Sequence, residues 1–159
     1  MSNLSVTKVF QWEMAHMLAD YEGDCKNLHG HSYKMEVTAS PIFDASVEKI
    51  LCEQRGMVVD FKELKKIVQE CLIDKLDHAF VYWKDSPDNC ELQIAEVLKN
   101  FNRKVVALDY IPTAENMVFN FIRQLNNTLI NQKRSIRIVR LVLWETSTSY
   151  VEINLPTSV

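Results

Sequence analysis

Hydrophobic and polar positions alternate at both ends of this chain and recur with helical spacing in its middle. Residues 4 to 14 alternate loosely through Val6, Val9, Phe10 and Trp12, which predicts a first strand. Residues 17 to 28 hold Asp20, Gly23, Asp24 and Asn27 and read as a loop. From Ser32 the alternation is clean. Tyr33, Met35, Val37 and Ala39 share one face, Lys34, Glu36 and Thr38 the other, and Pro41 ends the strand. Met57-Val58-Val59 reads as a short strand. Asp60, with Glu63 three residues on, makes a capping-box-like start for a helix with Leu64, Ile67, Val68, Cys71, Leu72 and Leu76 on one side. Cys71 is thereby a core position. Residues 84 to 90 form a polar loop, 91 to 101 a short helix, and Lys104 to Leu108 a strand. Thr113 caps a second long helix with the apolar stripe Met117, Val118, Phe121, Ile122, Leu125 and Leu129. Two closing strands follow. In the first, Arg137, Val139, Leu141 and Leu143 alternate with Ile138, Arg140 and Val142. In the second, Tyr150, Glu152 and Asn154 alternate with Val151, Ile153 and Leu155. The order predicts an α+β fold, an antiparallel sheet with two long helices on one face.

Residues 41 to 56 fit this frame least well. Asp44 to Leu51 suits one or two helical turns or the tip of a long hairpin, closed by Gly56.

Composition narrows the class. A chain of 159 residues is one domain with room for a real core. The net charge of −3, from 18 basic and 21 acidic residues, gives no surplus for a nucleic-acid partner. No apolar run reaches membrane-spanning length, and Met1 to Phe10 lacks a charged-then-apolar leader pattern. Cys25, Cys52, Cys71 and Cys90 are scattered without paired spacing, which suits a reducing, cytoplasmic setting.

Candidate chemistry gathers in Cys25-Lys26-Asn27-Leu28-His29-Gly30-His31 and in His16 upstream. In an extended segment His29 and His31 leave the backbone on the same side. A hairpin back to the first strand brings His16 level with them. Three imidazoles with an open fourth position are the ligand set of a catalytic zinc ion. His-X-His is common by chance, and a lone cysteine is more often a small buried hydrophobe. The chain has four histidines, however, and three fall in this site. The fourth, His78, follows Asp77, as an oriented acid/base group would, although both also suit a solvated helix end. Glu115 suits the positive end of a helix dipole on its own account. Glu145 ends an apolar strand, either re-entering solvent or anchoring a ligand with two N–H groups.

The order of these motifs carries a resemblance. His16, the run Cys25 to His31, Val59-Asp60-Phe61, Leu76-Asp77-His78, Pro112-Thr113-Ala114-Glu115-Asn116 and Glu145-Thr146 together resemble the 6-pyruvoyl-tetrahydropterin synthase family, from about Val6 to Ile153. Three residues separate Cys25 from His29, as in that family's bacterial 6-carboxy-5,6,7,8-tetrahydropterin synthase branch of queuosine (7-deazaguanine) biosynthesis. The resemblance implies one such domain over residues 1–159, with 41–56 as an insertion or extended hairpin. It implies a tunnelling fold whose sheets join into a barrel in trimeric rings, two of which stack into a homo-hexamer. It implies zinc on His16, His29 and His31, and catalysis by Cys25 with Asp77 and His78 from a neighbouring subunit. It assigns Glu145 to the pterin ring, with Glu115 and Thr113 nearby. The substrate implied is 7,8-dihydroneopterin triphosphate, and the products are 6-carboxytetrahydropterin, acetaldehyde and triphosphate. The animal-type pyruvoyl reaction, a closed structural zinc site with Cys25 as fourth ligand, and a zinc hydrolase are the competing readings.

Overall fold

The computed structural model describes residues 4–42 and 56–156. Its centre is a hairpin of two long strands, β1 (Val6–His16) and β2 (His29–Pro41), paired antiparallel from Val6 against Ala39 to His16 against His29. β2 pairs antiparallel with β5 (Ile136–Trp144), and β5 with β6 (Tyr150–Asn154). On the other side of β1 stand β3 (Ala79–Trp83) and β4 (Val105–Leu108), giving the sheet order β4-β3-β1-β2-β5-β6.

The sheet is therefore mixed, not purely antiparallel as the sequence predicted. β3 runs parallel to β1, and β4 parallel to β3. The reason is the connection. β3 and β4 are joined through helix α2 (Asn89–Asn100), and a helical crossover returns the chain in its original direction. β3 itself escaped the sequence reading because its five residues follow the Asp77-His78 turn without a break signal. Met57-Val58-Val59 is not a strand. Val58 is buried in the core, but the three residues lead straight into the cap of the next helix. The predictions for 43–55, including the helical or hairpin insertion and Cys52, lie outside the described residues.

Two helices cover one face, as the pattern predicted. α1 (Phe61–Val68) is capped by Asp60, whose carboxylate accepts the Lys62 N–H at 2.7 Å. Glu63 does not complete a reciprocal box; it forms an ion pair with Arg134. The helix continues through a π-helical turn (Gln69–Ile73) and a last α turn (Asp74–Leu76). α3 (Ala114–Asn131) is capped by Thr113. Between these helices and the sheet lies the main core, with Tyr33, Met35, Val37, Leu64, Met117, Leu125 and Leu141 fully buried. Cys71 packs against its margin, its Sγ 3.4 Å from Thr128 Oγ1. On β3, Ala79 and Val81 face this core, while Phe80 and Tyr82 join Met17 and Ala95 in a smaller cluster. α2 therefore packs on the opposite face of the sheet, at its β3–β4 edge.

One irregularity sets up the site. In β5 the pairing steps from Ile138 opposite Ala39 to Arg140 opposite Thr38, leaving Val139 as the extra residue of a β-bulge. The regular alternation predicted for this strand breaks there. Ile136 and Ile138 face the core before the bulge, and Leu141 and Leu143 after it. The phase shift carries Glu145, two residues past Leu143, onto the face that holds Tyr33.

Candidate metal centre

The hairpin register levels three imidazoles. His16 lies opposite His29, and Met14 opposite His31, so all three rings leave the same face at the end of the hairpin. Their available ligand nitrogens lie within 4.8 Å of one another. Gly30 is needed here by the backbone. A Cβ there would stand 3.0 Å from the Met14 carbonyl oxygen, so the backbone of β1 needs the space.

The second nitrogen of two rings is committed elsewhere. His16 Nδ1–H donates to the Pro112 carbonyl at 2.9 Å, and His29 Nδ1–H donates to the Asn27 carbonyl at 2.7 Å. A carbonyl only accepts, so these bonds fix the tautomers and leave both Nε2 atoms as lone-pair donors. Those Nε2 atoms stand 3.1 Å apart. Two lone pairs at that distance repel unless a cation lies between them. Ligand nitrogens about 2.0–2.1 Å from a tetrahedral zinc are about 3.3 Å apart, so the residues present fit such an ion. Electrostatics agree. Burial pushes the His16 pKa down to about 4, with the neighbouring imidazoles adding to the Pro112-opposed shift. His31 is lowered too, mainly by burial, with Glu145 opposing and His29 adding. A neutral imidazole is the metal-binding form.

Around the three rings stand groups of unequal closeness. Glu145 Oε1 is 3.6 Å from His16 Nε2 and 3.8 Å from His31 Nε2. Tyr33, fully buried, donates its O–H toward the same Oε1 at 3.4 Å and meets the His16 and His31 rings edge-on. Its ionisation is suppressed by burial first and by Glu145 next. Sequence reading placed Tyr33 only in the core. The signal was its position two residues after His31, which puts it on the same face. The Pro112 and Asn27 carbonyls were also missed, because backbone acceptors leave no mark in residue identity.

Cys25 lies in a 3-10 turn (Asp24–Lys26), half-buried. Its carbonyl accepts the Leu18 N–H at 3.0 Å, tying it to the chain just past His16. It stands outside the group of ligand atoms that the three histidines form.

Asp77 and His78 are not brought onto the imidazoles. They form their own pair, with Nδ1 to Oδ1 at 2.8 Å, and His78 is 76 % exposed. The turn is docked on β1: the Glu13 N–H donates to Asp77 Oδ1 at 3.1 Å, and the His78 N–H donates to the Glu13 carbonyl at 2.7 Å. Lys104 Nζ secures it from below, donating to the Asp74 and Asp77 carbonyls at 2.7 and 2.6 Å. His78 has φ +60°, a left-handed backbone that aims its ring outward. His78 and His31 contribute to the walls of one cavity of about 570 Å³, together with Leu28, Phe80 and Arg103. Thr113 serves as the α3 cap, and Glu115 in the first turn is exposed.

Comparison with known proteins bears on the family and the fold. The family model described as 6-pyruvoyl tetrahydropterin synthase matches residues 5–156. A protein of Haemophilus influenzae named 6-carboxy-5,6,7,8-tetrahydropterin synthase is 37 % identical over 147 residues, covering 92 % of this chain and 96 % of its own. Among solved structures, an uncharacterized protein from Wolinella succinogenes superposes with a TM-score of 0.72 at 19 % identity, covering 97 % of this chain and 99 % of that one. The 6-pyruvoyl tetrahydropterin synthase of Caenorhabditis elegans gives 0.61 at 20 % identity, covering 98 % of each. No described helix is long and apolar enough to cross a membrane. With its α+β fold, its three converging imidazoles and a family match over nearly its whole length, the chain belongs to the 6-pyruvoyl tetrahydropterin synthase family.

Proposed function

We propose that this protein is a zinc-dependent lyase converting 7,8-dihydroneopterin triphosphate to 6-carboxy-5,6,7,8-tetrahydropterin, acetaldehyde and triphosphate, in queuosine (7-deazaguanine) biosynthesis. The observation that carries the reading is the pair of Nε2 lone pairs 3.1 Å apart, each on a ring anchored through its other nitrogen. His16, His29 and His31 hold the zinc. When bound, zinc supplies Lewis-acid polarisation of neighbouring side-chain hydroxyls.

The remaining work falls to the chain's own groups. Glu145 accepts hydrogen bonds from the amino and ring N–H groups of the pterin, a charged two-point contact that sets orientation. Cys25, in the turn beside His16, takes a proton from the substrate's side chain. His78, oriented by Asp77, moves a second proton. Thr113 and Glu115 belong to the element whose Pro112 carbonyl orients His16, and they border the pterin. The name of the Haemophilus relative and the three-residue gap between Cys25 and His29 favour the carboxytetrahydropterin products. The family description favours a second reading, triphosphate elimination to 6-pyruvoyl-tetrahydropterin. A non-catalytic zinc module gains nothing from Cys25, which stands apart from the ligand group.

The assembly proposed is a homo-hexamer, a dimer of trimeric rings. Among the described residues β3 pairs with β1 only at Met14 and Ala15, which leaves an edge along most of β1, and another on β6. Continuing the strand directions β1 up, β2 down, β5 up and β6 down, a neighbour's β1 adds antiparallel to β6, and repetition closes a ring. In that ring the exposed His78 of one subunit serves the histidines of the next.

The test is mass spectrometry of products after zinc-loaded protein meets 7,8-dihydroneopterin triphosphate, with Cys25→Ala alongside. The proposal expects 6-carboxytetrahydropterin and acetaldehyde from the unaltered protein only. Accumulation of 6-pyruvoyl-tetrahydropterin would move the protein to the second reading. Zinc uptake without turnover would favour the binding module.

A further inference from the structure

Anchoring a pterin does not by itself explain where Glu145 stands. Its Oε1 leans toward the imidazoles, 3.6 Å from His16 Nε2 and 3.8 Å from His31 Nε2. The His16 nitrogen offers a lone pair there, since its N–H is spent on Pro112. Beyond the Tyr33 hydroxyl, a carboxylate oxygen facing the His16 lone pair is unfavourable without a cation between them. Four donors around one tetrahedral ion lie about 3.3 Å apart, and Oε1 sits just outside that spacing from two of the three nitrogens. The cluster of ligand atoms takes in neither the Cys25 thiol nor Glu145, but Glu145 Oε1, at 3.6 and 3.8 Å from two of its nitrogens, is a carboxylate oxygen within a small movement of the fourth corner. The strand bulge at Val139 and the buried Tyr33 hydroxyl, 3.4 Å from the same oxygen, hold it there.

We infer that Glu145 is an exchangeable fourth ligand of the metal, positioned by the Tyr33 hydroxyl, and that it gives up this place when a pterin arrives. This rests on the proposed function, in which three histidines hold the ion and Glu145 meets the pterin. One carboxylate then has two uses. Without substrate it closes the ion's fourth position and halves the uncompensated charge of a site built from three neutral ligands. A pterin's paired N–H groups draw the carboxylate away, and the position opens only while substrate is present to fill it. Water then has little access to the open position, which sets this site apart from one that keeps a bound hydroxide for hydrolysis. Tyr33 is a positioning residue in this account, since it acts through Glu145.

The experiment uses the full chain loaded with cobalt(II), whose visible absorption reports ligand number and type. The unaltered protein, Glu145→Gln and Tyr33→Phe are compared, with cobalt affinity measured against a chelator and neopterin added as the probe. Both substitutions keep shape, and circular dichroism checks the fold. Glu145→Gln is expected to change the cobalt spectrum and weaken cobalt binding about tenfold or more, and Tyr33→Phe to weaken it by a smaller factor. Neopterin is expected to shift the spectrum of the unaltered protein and to leave that of Glu145→Gln unchanged. Identical spectra and affinities for the unaltered protein and Glu145→Gln would overturn the inference while leaving the metal reading intact. Unchanged cobalt affinity in Tyr33→Phe would remove Tyr33 from it. Failure of the unaltered protein to take up cobalt or zinc would defeat the metal reading, and this inference with it.

Discussion

The three histidines and the Asp77–His78 pair are both chemically equipped, yet the fold treats them in opposite ways. His16 is 1 % exposed, its tautomer is fixed by a backbone carbonyl, and two ring nitrogens face each other at 3.1 Å. His78 is 76 % exposed, on a left-handed backbone. One cluster is complete inside a single chain. The other is rigidly mounted, through Glu13 and Lys104, but faces outward. The contrast is what the proposed function requires: a metal half that looks inward and an acid/base half free to serve a neighbour.

The largest expected effect breaks the inward half. His29→Ala or His31→Ala should drop bound zinc from about one per chain to near zero by elemental analysis, with turnover lost, because two imidazoles do not make a stable tetrahedral site. The outward half should fail differently. His78→Ala is expected to lower kcat by about 10²–10⁴-fold with zinc content unchanged, the usual range for a lost acid/base group. Zinc loss in that variant would mean that the two halves are not separate.

The buried half also carries a pH signature in the metal-free chain. His16 titrates near 4 when folded and near 6.5 when unfolded. Between those values the unfolded chain binds the extra proton, so stability is fully present above pH 6.5 and is lost as pH falls toward 4. Thermal unfolding of zinc-free protein at pH 7 and pH 4.5 should show this loss, and His16→Asn should show less of it. The smallest effect concerns the mounting. Lys104→Met removes two hydrogen bonds at an exposed site and should cost about 1 kcal/mol in urea unfolding. A several-fold fall in kcat should accompany it, with zinc content unchanged.

Much of the fold was legible in the chain. The alternation Tyr33, Met35, Val37, Ala39 marked a buried strand face, and all four positions are buried in the structure. Asp60 and Thr113 announced their helix caps by residue type. The parallel strands were not legible, since β3 is short and nearly continuous in apolar character, and parallel pairing depends on a crossover that local patterns do not encode. The bulge at Val139 was hidden for a related reason. Val139 is as apolar as its neighbours, so nothing in its identity marks it as the residue left out of register. In the site, the clustering of His16, His29 and His31 followed from hairpin geometry alone. The parts played by Tyr33 and the Pro112 carbonyl did not, because a tyrosine on a core face reads as packing and a carbonyl belongs to every residue.

The claim that the two halves meet across a subunit boundary has a direct test. Cys25→Ala and His78→Ala are purified separately, unfolded and refolded as an equimolar mixture, and assayed on 7,8-dihydroneopterin triphosphate beside each variant refolded alone. Each alone should be nearly inactive. If Cys25 of one copy works with His78 of the next, random mixing leaves about a quarter of the sites with both groups intact, and about a quarter of the original activity should return. A mixture as inactive as its components would place Cys25 and His78 in the same copy and contradict the split site.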